Sequence, residues 1–240
     1  MPRRYFLEQP ISPDAQFAEL SGQEAQHLTK VMRAKPGDAI QLFDGSGYQY
    51  DAIINEISRH SVTLAIQNSE FKSCEASRRV TVAASLPKGD RQKWLIEKLC
   101  EIGVNRLVPL KTERSVAQPT ENAILRLQRS VIEASKQCGR NTLMEIESSQ
   151  TLEDLITQSP DDCARIIAHP YNPDGTSVTV SSIAHQTVLV AVGPEGGFTD
   201  QELDAAINAG FNSVAIGDRI LRIETAAIAI SSLLIYADNI

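Results

Sequence analysis

The spacing of apolar positions changes near residue 78, and the change divides the chain in two. Residues 1–72 read as a small β-rich unit. In SGQEAQHLTKVMR, Ala25, Leu28 and Met32 recur at helical spacing and Ser21 stands three residues before Glu24, the signature of a capping box, so one helix is expected there. The segments AIQLFD, YQYDAIINEIS and SVTLAIQ follow, short and rich in β-branched and aromatic residues, with the turn signal Asp44-Gly45-Ser46-Gly47 between the first two. A small barrel or curled sheet is expected of them. NSEFKSCEASRR is polar and aperiodic and reads as a connection, with the linker at 73–78.

From residue 79 to 240 strands and helices alternate. RVTVAASL reads as a strand, RQKWLIEKLCEIG as a helix stopped by Gly103, and RLVPLK as a second strand. Thr120 opens a long helix whose apolar stripe is Ile124, Leu127, Val131, Ala134 and Cys138, closed by Gly139. LMEIE, ARIIAH, TVLVAV and SVAI supply further strands, with capped helices starting at Thr151 and Thr199. This order predicts an α/β domain, a mostly parallel sheet with helices on both faces. The last helix, ETAAIAISSLLIYA, is apolar on nearly every side, which predicts burial against the sheet and against a second copy of the chain in a homodimer.

Composition narrows the class. With 240 residues and 42% apolar content there is material for one large domain or two modest ones. Cys74, Cys100, Cys138 and Cys163 lie far apart without a CxxC pair or a histidine at ligand spacing, so neither a disulfide framework nor a metal site is expected. MPRRYFLEQP lacks the apolar stretch of a signal peptide, and the longest apolar run, 225–237, is too short to span a bilayer; the expectation is a cytoplasmic protein without a membrane partner.

Net charge is −7, which argues against a nucleic-acid partner until its distribution is read. The balance is +1 over residues 1–35, −4 over 36–77, +7 over 78–140 and −11 over 141–240. More than half of the basic side chains thus fall in 63 consecutive residues, which makes a local field able to attract a phosphate backbone. Solvated faces of amphipathic helices are the other reading of the same run.

Open α/β sheets bind ligands at the carboxyl ends of their strands. Three loops fall there: AHPYNPDG after ARIIAH, GPEGGF after TVLVAV, and GDRILRIET after SVAI. GPEGG is no phosphate-gripping loop, because the spaced Gly-Lys-Ser/Thr is missing and Glu195 repels phosphate; the GxGxxG dinucleotide spacing is also absent. Taken alone it is either a structural turn or a ligand loop.

It does not stand alone. KGDRQKWLIEKLCEIGV (88–104), TERSV (112–116), EASKQCGR (133–140), GPEGGFTDQE (193–202) and IGDRILRIETA (216–226), with RRYF and HLTKVMRAKPGD (27–38) near the start, together resemble one family over the whole chain. This is the RsmE-type 16S ribosomal RNA uridine-N3 methyltransferases of the SPOUT class. Ile102 and Met144 depart from the family's usual Leu and Pro, outside the ligand loops. The resemblance implies a PUA-like RNA-binding β-barrel domain at 1–72 and a SPOUT methyltransferase domain at 79–240 with a C-terminal trefoil knot and the dimer interface.

It implies S-adenosylmethionine as methyl donor, no metal, and 16S ribosomal RNA within the small ribosomal subunit as partner. His169, Gly193, Pro194, Glu195, Gly196, Gly197, Ile216, Gly217, Ile220, Leu221, Arg222 and Thr225 are the expected cofactor residues. The glycines let the backbone approach the adenosyl group, and Glu195 lies near the cationic centre. Arg222 is the expected catalytic cation beside the uracil carbonyls. Glu224 is a general base, an orienter of Arg222, or a carboxylate on a helix dipole. Arg3, Arg4, Lys30, Arg33, Lys35, Lys88, Arg91, Lys93, Arg114 and Arg140 are the expected RNA contacts. A SPOUT enzyme for another RNA site and a non-catalytic ribosome assembly factor are the alternatives.

Overall fold

A computed structural model of the chain describes residues 3–116, 119–160, 162–170, 183 and 185–236. It contains two compact units, Met1–Glu75 with Ile132–Leu143, and Ala76–Val131 with Met144–Ile240.

The first unit holds a five-stranded sheet. Its strands are β1 (Arg4–Phe6), β2 (Phe17–Ser21), β3 (Ala39–Phe43), β4 (Tyr48–Ile57) and β5 (Ser61–Phe71), in the order β1-β3-β4-β5-β2. β3, β4 and β5 are the three segments read from sequence; β1 and β2 are too short or too weakly patterned to stand out. The Asp44–Gly47 turn forms as expected, with the Asp44 carboxylate accepting from the Ser46 amide at 3.0 Å. Asp44 also accepts from the hydroxyl of fully buried Tyr50, and burial followed by this contact pushes the Tyr50 pKa up to about 12.

The expected capping box at Ser21 does not form. Ser21 precedes α1 (Gly22–Gln26) without a side-chain cap. The Glu24 carboxylate instead accepts from the Phe6 amide at 3.4 Å and from Lys136 Nζ at 2.8 Å. An ion pair at 14–15% exposure outcompetes a cap to an exposed backbone amide. Nor is the helix uniform: at His27–Val31 it widens into a π turn, closed by Met32 N–H to His27 O at 3.0 Å.

The second unit is built on parallel strands: β6 (Arg79–Ala84), β7 (Arg106–Lys111), β8 (Glu145–Ile146), β9 (Gln150–Thr151), β10 (Ala164–Ala168), β11 (Thr187–Val192) and β12 (Asn212–Val214). Their order is β12-β10-β11-β6-β7-β8, and β9 also pairs with β7. Pairing of β7 with β8 ends at Leu107 and with β9 resumes at Leu110, so Pro109, which has no N–H, falls in the gap. Alternation along the strands sends Ala83, Val108, Ile167, Leu189 and Ala191 into a core under α4 (Leu152–Gln158) and α5 (Asp200–Asn208). On the sheet α6 (Ile223–Tyr236) packs against β6 and β11, and α2 (Arg91–Ile102) packs against α6. Arg78, 5% exposed, donates to Leu234 O at 2.8 Å and satisfies a carbonyl in the last turn of α6.

The long helix α3 (Glu121–Cys138) starts at Thr120, which accepts from the Ala123 amide, and ends at Gly139 with φ +85°. Leu127, Val131 and Ala134 of its expected stripe are buried, whereas Cys138 is exposed. Among the described residues no helix is long and apolar enough to cross a membrane.

Candidate active site

Strands β10, β11 and β12 end side by side, and the chain leaves each of them toward one cavity of about 410 Å³. That volume lies within the range of small-molecule sites. Ala168, His169 and Pro170 line it from β10, the rest of AHPYNPDG lying outside the described residues; Val192 and Gly193 to Phe198 line it from β11; Val214, Ile216, Gly217, Arg219, Ile220 and Leu221 from β12. Asp200 opens α5 beside it, and Ile223, Ala226 and Ile230 close it with one face of α6.

The GPEGGF loop is held by its own chain. Pro194 O accepts from the Gly197 amide at 2.9 Å in a tight turn, with Gly197 at φ +70°, a conformation that favours glycine. A side chain at Gly193 would meet the Phe198 ring at 3.0–3.3 Å, and one at Gly196 would meet the Arg114 stem at 3.3 Å. The Arg114 guanidinium donates to Gly196 O at 2.8 Å and to Phe198 O at 3.3 Å. The expected cap at Thr199 is a complete capping box, and Glu202, its far member, also accepts from the Glu113 amide at 2.9 Å. The TERSV and GPEGGFTDQE motifs are therefore one assembly.

Charge around the cavity is mixed. The carboxylates of Glu195 and Asp200 and the guanidiniums of Arg114 and Arg219 are all among the lining side chains. Arg91 lies 3.5 Å from Glu195 and 3.4 Å from Glu224. Among the described residues no group of three or more His, Cys, Asp or Glu side chains is placed to hold a metal ion.

A sequence profile for the RNA methyltransferase domain matches residues 74–235, and one for the RNA methyltransferase PUA domain matches residues 20–67. A curated ribosomal RNA small subunit methyltransferase E of Synechocystis is 34% identical over 86% of this chain and 69% of its own. The chain belongs to the ribosomal RNA small subunit methyltransferase E family. A Neisseria gonorrhoeae member, solved bound to S-adenosyl methionine, is 30% identical with a TM-score of 0.85, covering 97% of this chain and 96% of its own. A Legionella pneumophila methyltransferase solved with bound SAM is 28% identical with a TM-score of 0.86, covering 98% and 97%.

In this methyltransferase ten of the twelve expected cofactor residues line the cavity, namely His169, Gly193 to Gly197, Ile216, Gly217, Ile220 and Leu221. Arg222 and Thr225 do not; both are exposed at the start of α6. Glu224, 4% exposed, faces Arg91 and not Arg222. The sequence reading passes over Phe198, Arg219 and the α6 face. The i, i+3, i+7 spacing of Ile223, Ala226 and Ile230 carries a signal, obscured because almost every position of that helix is apolar.

The ten basic residues expected at RNA divide by environment. Lys30, Arg33 and Lys35 are exposed around the π turn, where Arg33 has φ +49° and Arg3 donates to Met32 O. Lys88 and Lys93 are exposed in the second unit. Arg4 is turned inward, donating to Ser135 O and Asn141 Oδ1 and stacking over Phe43 at 4.7 Å. Arg140 is 3% exposed and grips both oxygens of Glu75 at 2.6 Å, an internal pair where the sequence suggested a phosphate contact. Arg114 and Arg91 belong to the cavity wall and its rim.

Proposed function

We propose that this methyltransferase moves the methyl group of S-adenosylmethionine to N3 of a uridine in 16S ribosomal RNA. The observation that carries the reading is the convergence of His169 and Pro170 after β10, the loops after β11 and β12, and the α6 face on one mixed-charge cavity. The donor is zwitterionic at its amino-acid end and cationic at sulfur, and the residues present suit it: apolar Phe198, Ile216 and Leu221 for the flat base, carboxylates and guanidiniums for the charged ends. When bound, the donor supplies an electrophilic methyl group on a sulfonium.

The protein's own part is binding and orientation. Backbone groups of the GPEGGF loop hold the donor in register, because Arg114 and Glu202 fix that loop. Arg222, exposed just outside the cavity, is proposed to meet the uracil carbonyl oxygens and stabilise the base as its N3 proton passes to water. Glu224, buried on Arg91, is proposed to hold the head of α6 and not to take that proton. Arg3, Lys30, Arg33, Lys35, Lys88 and Lys93 are proposed to meet phosphates of the small-subunit RNA. The exposed apolar side chains Trp94, Leu233 and Tyr236 support a homodimer formed through α2 and α6, with the C-terminal knot that the family resemblance implies, acting in the cytoplasm.

The test is calorimetric titration with the donor, followed by mass spectrometry of nucleosides from treated small subunits. Arg222→Ala is expected to lose at least a hundredfold in turnover while donor Kd changes by less than about threefold. Full turnover in that variant removes Arg222 from the reaction.

A further inference from the structure

Three charges meet at the cavity rim. Arg91, in the first turn of α2, places Nη2 3.5 Å from Oε1 of Glu195 and Nη1 3.4 Å from Oε1 of Glu224. A fully made guanidinium–carboxylate contact runs at about 2.7–2.9 Å, so the cation is shared between the two, with a long hydrogen bond to Glu224 and an ion pair to Glu195. The carboxylates differ in setting. The side chain of Glu195 is half exposed on the cavity-lining loop, while that of Glu224 is buried. The second oxygen of Glu224, Oε2, is buried without a hydrogen-bond partner among the described residues. A buried oxygen left unpaired is costly, and the arginine fork is shaped to engage both oxygens of one carboxylate. With Nη2 toward Glu195, the fork does not engage both oxygens of Glu224.

We propose that Arg91 is a positioning residue, handed from Glu195 to Glu224 when a cationic donor enters the cavity, and that the exchange makes the site prefer the sulfonium donor to its neutral thioether product. The proposal rests on the reading that S-adenosylmethionine occupies this cavity. A positive centre brought to Glu195 competes with Arg91 for one carboxylate. The displaced guanidinium closes on both oxygens of Glu224 and satisfies Oε2 at the head of α6, two residues from Arg222. The thioether lacks the charge that starts the exchange, so it leaves Arg91 shared and departs more readily. Donor occupancy is thereby signalled to the turn that presents Arg222.

Calorimetry of the full chain with S-adenosylmethionine and with S-adenosylhomocysteine reads the ratio of the two Kd values. Glu195→Gln is expected to lower the preference for the charged donor by about threefold to fivefold, the size of a partly exposed ion pair. Glu224→Gln, which cannot accept the fork on both atoms, is expected to lower it similarly although Glu224 lines no part of the cavity. Arg91→Gln combined with Glu224→Gln leaves no unpaired charge buried, frees Glu195, and is expected to restore the preference to the wild-type value or above. A purely structural arginine weakens both ligands equally, and a ratio unchanged in Glu224→Gln overturns the proposal even where Glu195→Gln lowers it. A wild-type chain that binds neither ligand removes the donor reading itself, and the proposal with it.

Discussion

Gly193 and Gly196 show how one residue type can serve two demands. Their lack of a side chain leaves the loop open to a ligand, and it also lets Phe198 and the Arg114 stem lie against the loop's backbone. The second demand is the one the geometry measures. An added methyl at Gly193 must displace the Phe198 ring, 3.0 Å away, which itself lines the cavity. Gly193→Ala is therefore expected to cost about 1–3 kcal/mol in stability and to weaken donor binding. Adding Phe198→Leu should recover much of the stability loss. Thermal unfolding and calorimetry check both parts; a Gly193→Ala protein with wild-type melting and affinity refutes the steric account.

Helix starts differ in how firmly they are tied to the site. Thr151 and Thr199 both carry complete capping boxes, in α4 and α5. Only the second also reaches another loop, because Glu202 accepts from the Glu113 amide. Removing either cap should cost about 1 kcal/mol of stability. Thr199→Ala is expected to weaken donor binding as well, and Thr151→Ala to leave it unchanged, when both are measured by calorimetry. Equal affinities in the two variants would separate the cap from the cavity. Caps at Thr151 and Thr199 were legible in the sequence because both partners lie within four residues. The box at Ser21 misled for the same reason, since its Glu24 found Lys136, 112 residues away.

Across the whole molecule, the segregation of charge along the chain does not translate directly into a surface. Arg140 belongs to the +7 segment yet is engaged by Glu75, whereas Lys30, Arg33 and Lys35, from a nearly neutral segment, stay exposed. The two classes should respond differently. Replacing Lys30, Arg33 and Lys35 by Gln is expected to weaken RNA binding and to reduce its log–log salt slope by about one for each phosphate left without its cation. Arg140→Gln is expected to destabilise the chain by about 3–5 kcal/mol, because it strands a carboxylate in a buried pair. Filter binding over a salt series and chemical denaturation read the two effects; an Arg140→Gln chain of normal stability with a reduced salt slope would return Arg140 to the RNA-binding surface.

The elements and the loops that build the cavity are legible in the amino-acid order alone. Period, glycine stops and adjacent caps are interactions over a few residues, and the motifs resembling a known family name the loops directly. Ten of the twelve positions expected at the donor line the cavity for that reason. What the long charged side chains do emerges from the folded chain. Arg91 meets Glu224 across 133 residues, Arg114 meets Gly196 across 82 and Arg140 meets Glu75 across 65. A flexible cation has no local signal for its partner, because the packing of distant elements chooses which carboxylate or carbonyl comes within reach.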